Sequence, residues 1–146
     1  KIFFPLNEKT LFSINQTFRK LTRDMDKTQK TLITKGRKFY IRDFYKGISK
    51  FTFEELCDEN LGSEDYLSLA NICHHIFIYN VPLFTELNSN QQLRFINLID
   101  VLYDKKIKLT LSLETRLEKL TSSKRHFDIF KRTISRLHEM TKVKNY

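Results

Sequence analysis

Cys73-His74-His75 is the densest run of metal-ligating and nucleophilic side chain types in the sequence. Consecutive residues on a strand or helix point in different directions, and no carboxylate stands three or four positions away to complete a ligand set. The spacing therefore predicts no metal site. Cys57 and Cys73 fall on different predicted elements, outside any CxxC, and read as buried free thiols. Ser112 follows a predicted strand, but no His or acid is placed to activate it. Asp100 and Asp104, four apart on a predicted helix, read as facing water or meeting Lys105 and Lys108. The apolar run Ile76–Tyr79 ends in Asn80-Val81-Pro82, where a magnesium-holding strand would end in acids. A phosphate-binding loop needs GxxxxGK[ST], because glycine lets backbone amides wrap the phosphates. Glycine occurs only at 36, 47 and 62. No catalytic residue, metal or cofactor is expected in these residues, and ATP with magnesium would require a P-loop supplied from outside them.

Guanidinium groups are the remaining candidates. Arg132 and Arg136 lie four apart on a predicted helix, and Arg94 lies on another. Their planar forks suit carboxylate or phosphate contacts across an interface; the plainer alternative is a set of structural ion pairs. A second candidate surface is the basic, aromatic stretch around Lys35, Arg37, Lys38, Arg42 and Lys46, interleaved with Phe39, Tyr40, Phe44 and Tyr45. It could hold nucleic acid by phosphate contact and stacking, or its aromatics pack inward while its cations face water.

Charge is segregated along the chain. Residues 1–50 carry 13 Lys and Arg against 4 acids, residues 51–104 carry 1 against 9, and residues 105–146 carry 12 against 4, within a net charge of +9. Such blocks imply a split surface or mutual neutralisation between packed segments.

The elements that must position these groups follow from periodicity and capping. Asn7 caps a helix with Leu11, Ile14, Phe18 and Leu21 on its core side. Thr31–Thr34 and Arg37–Arg42 form a hairpin about Lys35-Gly36, and a turn at Lys46-Gly47 leads to a strand at Ile48–Phe51. Thr52 and Glu55 form a capping box, and Ser63 caps a helix over Glu64–Cys73. His75–Tyr79 and Ile107–Leu111 read as strands joined by a helix from Asn88 or Ser89 to Asp104, with Leu93, Ile96, Ile99 and Tyr103 inward. Strand, helix, strand with short joints predicts a right-handed parallel crossover. A short helix over Glu114–Leu120 and a last one over Asp128–Met140 complete the chain.

The predicted fold is thus mixed α/β: an N-terminal helix and basic β-hairpin, then a parallel β-α-β unit flanked by helices. The 146 residues read as one module with sectors 1–51 and 52–146. No stretch approaches the roughly 20 apolar residues that span a bilayer. The sequence opens on Lys rather than Met, so a longer parent is expected.

Several runs together resemble the last third of the ZapE-type AAA-like ATPases, a family with mitochondrial inner-membrane relatives. They are Phe51-x-Phe53-x-x-Leu56-Cys57, Asp65-Tyr66-Leu67, Val81-Pro82, Arg94-Phe95-Ile96-x-Leu98-Ile99-Asp100-x-Leu102-Tyr103-Asp104, and Phe130-x-Arg132-Thr133-x-Ser135-Arg136-Leu137-x-Glu139-Met140. Asn80, Leu93 and the stretch after Ser112 depart from the family pattern. The resemblance implies a non-catalytic C-terminal module of an ATPase that remodels proteins or assists their turnover. Its partners would be its own ATPase domain, other subunits or substrate, within an oligomer or larger complex. It also implies a mitochondrial location, at the inner membrane or in the matrix. The alternative is a degenerate structural subunit of a large mitochondrial assembly, a ribosome or respiratory complex, touching RNA through Lys35–Lys50 and Lys105–Lys144.

Overall fold

The computed structural model describes residues 1–142. Helix α1 (Glu8–Thr22) starts where Asn7 Oδ1 accepts the Thr10 N–H at 2.8 Å, taking up one of the donors a helix start leaves free. Its buried stripe is Thr10, Ile14, Phe18 and Thr22, a strict i, i+4 row. Leu11 and Leu21, expected on that side, are 46% and 41% exposed. The row is one residue wide because α1 presses on a sheet through large aromatics rather than through a broad leucine face.

Six strands form one sheet in the order β1-β6-β5-β4-β3-β2: β1 (Ile2–Phe3), β2 (Thr28–Thr34), β3 (Arg37–Tyr45), β4 (Ile48–Thr52), β5 (His75–Val81) and β6 (Lys108–Leu113). β2 and β4 flank β3 antiparallel, whereas β4, β5, β6 and β1 run parallel. Both turns of the meander carry two positive-φ residues, Lys35-Gly36 and Lys46-Gly47, the geometry that matches strand twist. Gly47 is needed twice over, since a Cβ there would stand 2.5 Å from His74 Cδ2. β2 and β3 are longer than periodicity suggested because pairing extends them past a bulge between Thr28 and Lys30.

Helices α2 (Phe53–Cys57), α3 (Ser63–Ile72), α4 (Ser89–Asp104) and α5 (Phe127–Met140) complete the fold. The capping box at Thr52 and Glu55 forms as expected. At α3, however, Gly62 is the N-cap, its N–H held by the Asp65 carboxylate at 2.8 Å. α4 buries Phe95, Ile96, Leu98, Ile99 and Leu102; Leu93, expected inward, is 39% exposed, and Tyr103 is only partly covered. The helix expected over Glu114–Leu120 is a single 3₁₀ turn at Leu117–Lys119.

Chain direction across the sheet decides which face each helix covers. The steps β4 to β5 to β6 run one way, and a right-handed rule then places their crossovers on one face. There α2–α5 and the strands share a large core that includes Phe53, Tyr66, Phe84 and Phe95. From β1 the chain must cross back the other way, so α1 lies on the opposite face, where Ile14 and Phe18 pack on Ile48, Phe77 and Tyr79. No described helix is long and apolar enough to cross a membrane.

Candidate functional site

The three candidate arginines all have partners within the fold. Arg94 Nη1 donates to the Cys57 carbonyl at 3.1 Å, closing the end of α2. Arg132 Nη2 donates to Asp100 Oδ2 at 3.2 Å, and Arg136 Nη1 donates to the other oxygen of the same carboxylate. The Arg136 guanidinium also lies 4.7 Å over the Tyr103 ring, whose hydroxyl donates to Glu139 at 2.8 Å. That hydrogen bond, foremost, raises the Tyr103 pKa. Asp100, read from sequence as facing water or meeting Lys105 and Lys108, is instead the acid that clamps α5 to α4. Its position one turn before Asp104 gave no signal of this, because the partners lie 32 and 36 residues on. Arg132 is 56% exposed and uses one of its donors here, so the rest of its fork faces outward.

The basic meander is neutralised in part by the acidic middle of the chain. Lys35 meets Glu64 at 2.9 Å, Arg42 meets Glu55 at 3.6 Å, and Arg37 reaches the buried Asp65 at 2.9 Å. Arg37 also donates to the Asn60 carbonyl at 2.9 Å. Lys38 and Lys46 meet no carboxylate among the described residues. Phe39, Phe44 and Phe51 turn into the core, while Tyr40 is 62% exposed.

Cys73, His74 and His75 diverge: Cys73 Sγ is 3.5 Å from Ser49 Oγ, His74 Nε2 lies 3.2 Å from the Lys46 carbonyl, and His75 Nε2 lies 2.8 Å from Thr110 Oγ1. Burial pushes the Cys73 thiol up to about 11 and the Cys57 thiol higher still. Burial foremost, with the nearby charge of Lys108, holds His75 down at about 4. Neither thiols nor this imidazole are set up as nucleophile or base at neutral pH.

The carboxyl edge of the parallel strands is where an open α/β sheet binds ligands, at the point where connections leave to opposite faces. Here that point lies between β1, which feeds α1, and its neighbour β6, which leads to α5 on the other face. The start of α1 faces a cavity of about 350 Å³ whose lining includes Asn7, Glu8, Thr10, Asn80 and Ser112. Asn80 sits at φ 66°, and its N–H donates to Ser112 Oγ at 2.8 Å. A phosphate would need free amides and cations at this place. Instead Asn7 has taken the Thr10 amide, Glu8 brings a negative charge, and Pro5-Leu6 stand where glycines would let the backbone wrap. ATP and magnesium do not fit these residues.

A model of the AFG1-like ATPase family matches residues 1–146. The chain belongs to the AFG1-like ATPase family. Among similar proteins, the cell division protein ZapE of Escherichia coli K12 is 27% identical over 136 residues, covering 93% of this chain and 36% of ZapE. Lactation elevated protein 1 homolog B of Danio rerio is 32% identical over 110 residues, covering 74% of this chain and 22% of its own length. The chain thus spans about a third or less of these AFG1-like relatives. No solved structure matches it.

Proposed function

We propose that residues 1–146 form a non-catalytic module of an AFG1-like ATPase, making subunit or substrate contacts while a phosphate-binding loop elsewhere hydrolyses ATP. The observation that carries this reading is the crevice at the switch point. It stands where an α/β nucleotide site belongs, yet it offers Asn7, Glu8 and Asn80 in place of a glycine loop, a lysine and an acidic strand end. The family match supports an ATPase parent, and the lining of the crevice supports the division of labour. Protein remodelling or turnover, and a mitochondrial setting, belong to the same proposal. The outward fork of Arg132 is its nominated contact, with Arg136 held in place behind it by Asp100.

Two measurements test it. Purified 1–146 should show neither MgATP hydrolysis nor a melting shift with millimolar MgATP, whereas saturation at 100 times Kd would stabilise the fold by about 2.7 kcal/mol. Turnover by this chain would overturn the reading. In the natural full-length polypeptide, Arg132→Ala should lower ATPase rate or assembly while leaving the melting temperature nearly unchanged. Unchanged rate and assembly would remove the contact role. The RNA-binding alternative finds Lys35, Arg37 and Arg42 already paired to acids, which weakens it. The basic stretch it drew on at the other end extends to Lys144, which lies outside the described residues.

A further inference from the structure

The two faces of the sheet are covered unequally. On the α1 face, helix cover ends at Tyr45 of β3, whose ring Phe18 meets at 5.4 Å, and the part of β2–β3 beyond it around Ile33 and Tyr40 is exposed. Phe39 and Ile41 point into the large core, so Tyr40 between them points to the α1 face. By the same alternation Ile33, next to the inward Leu32, shares that face, with Lys38 directly across from it. Ile33 and Tyr40 are 69% and 62% exposed.

Along α1, and reaching β3 at Tyr45, runs a groove of about 650 Å³. Phe12, Met25 and Tyr45 give it an apolar lining, and Phe12 is 61% exposed. Arg19, Lys20 and Arg23 line the same groove. Cations suit the end of a helix, but the dipole does not explain Phe12 left exposed beside them, since Met25 and Tyr45 are partly buried against the α1-side core and Phe12 is not. Arg37, Arg42, Arg116, Arg132 and Arg136 meet carboxylates, while other cations of the chain, Lys46 among them, meet none among the described residues. Among the described residues Arg19, Lys20, Arg23 and Lys38 meet none.

We propose that the groove beside α1 and the exposed α1-side part of β2–β3 together dock an acidic amphipathic helix of a protein partner. Its apolar stripe would cover Tyr40 and Ile33 alongside Tyr45, which Phe18 already meets, and its carboxylates would meet Arg19, Arg23 and Lys38. A helix fits because α1, on the same face, supplies a side wall with Phe12 and the cations along it; Met25 and the aromatics allow the adaptable packing that helix-in-groove recognition uses. The inference is independent of whether the crevice at the carboxyl edge binds nucleotide.

The test is fluorescence anisotropy on 1–146. The probe is a labelled 18-residue peptide with a Leu/Phe stripe at helical spacing and Glu on its flanks. The controls are a scrambled peptide of equal composition, a 15-nucleotide oligouridylate and vesicles containing anionic phospholipid. The amphipathic peptide should bind at least ten-fold tighter than its scramble, weaken with salt, and lose at least ten-fold on Arg19→Glu with Arg23→Glu. Tyr40→Ser, at an exposed site that does not threaten folding, should give a separate loss of several-fold. Equal binding of the scramble, no effect of these variants, or binding by the oligouridylate or vesicles in place of the peptide would each overturn the proposal.

Discussion

The Thr133 hydroxyl is fully buried in α5 and has no hydrogen-bond partner among the described residues. A hydroxyl withdrawn from water without compensation costs more than a methyl group of similar size. Thr133→Val should therefore raise unfolding free energy by about 1 kcal/mol, and a urea titration that shows a clear loss would mean the hydroxyl has a role in the folded chain. His75 gives a second residue-scale expectation. Its pKa falls from 6.5 to about 4 on folding, through burial first and nearby positive charge second. The unfolded state then binds more protons below pH 6.5, so stability is fully present above that value and declines as pH falls toward 4. His75→Gln should flatten the melting temperature between pH 6.5 and 4.5 relative to the parent. An unaltered pH slope would show that other groups set it.

Elements with strong local signals are legible in the sequence alone. The Asn7 cap, the Thr52–Glu55 box, both glycine turns and the strands around Ile76–Tyr79 and Leu109–Leu111 all lie where local chemistry places them. The errors fall where tertiary contact overrides a local pattern. Leu11 and Leu93 belong to plausible apolar stripes, yet the neighbouring elements press one residue to the side. Glu114–Leu120 has helix-favouring residues, but only one turn forms between β6 and α5. The clamp of α5 on α4 was equally hidden, since Arg132 and Arg136 show their spacing but not that both point at Asp100. A double-mutant cycle with Asp100→Ala and Arg136→Ala should give a coupling of about 0.5–1 kcal/mol, as the pair is partly exposed. Zero coupling would assign the α4–α5 contact to apolar packing alone.

At the scale of the whole molecule, the unequal layers have an energetic consequence. The face toward α2–α5 buries a core spanning nearly every element, whereas α1 is anchored by Ile14 and Phe18 on Ile48, Phe77 and Tyr79, with a hydrogen bond from Tyr79 to Asn15 at 2.8 Å. Strand order could not be read from sequence, because nothing local says that two residues, Ile2-Phe3, pair with Leu111-Ser112 at the far side of the sheet. That pairing fixes where α1 starts, and hence that it crosses alone on its face. A unit held by so few buried groups should open before the rest. Native-state hydrogen exchange should find α1 amides exchanging through a partial opening at lower free energy than those of α4 and β5. Phe18 meets Phe77 edge-on at 5.0 Å and Tyr45 at 5.4 Å, so Phe18→Ala should cost about 3–5 kcal/mol. That loss should appear first in α1, lowering its opening energy further while α4 stays protected. If α1 and α4 amides instead exchange together, the two faces unfold as one unit and the smaller core is as cooperative as the larger.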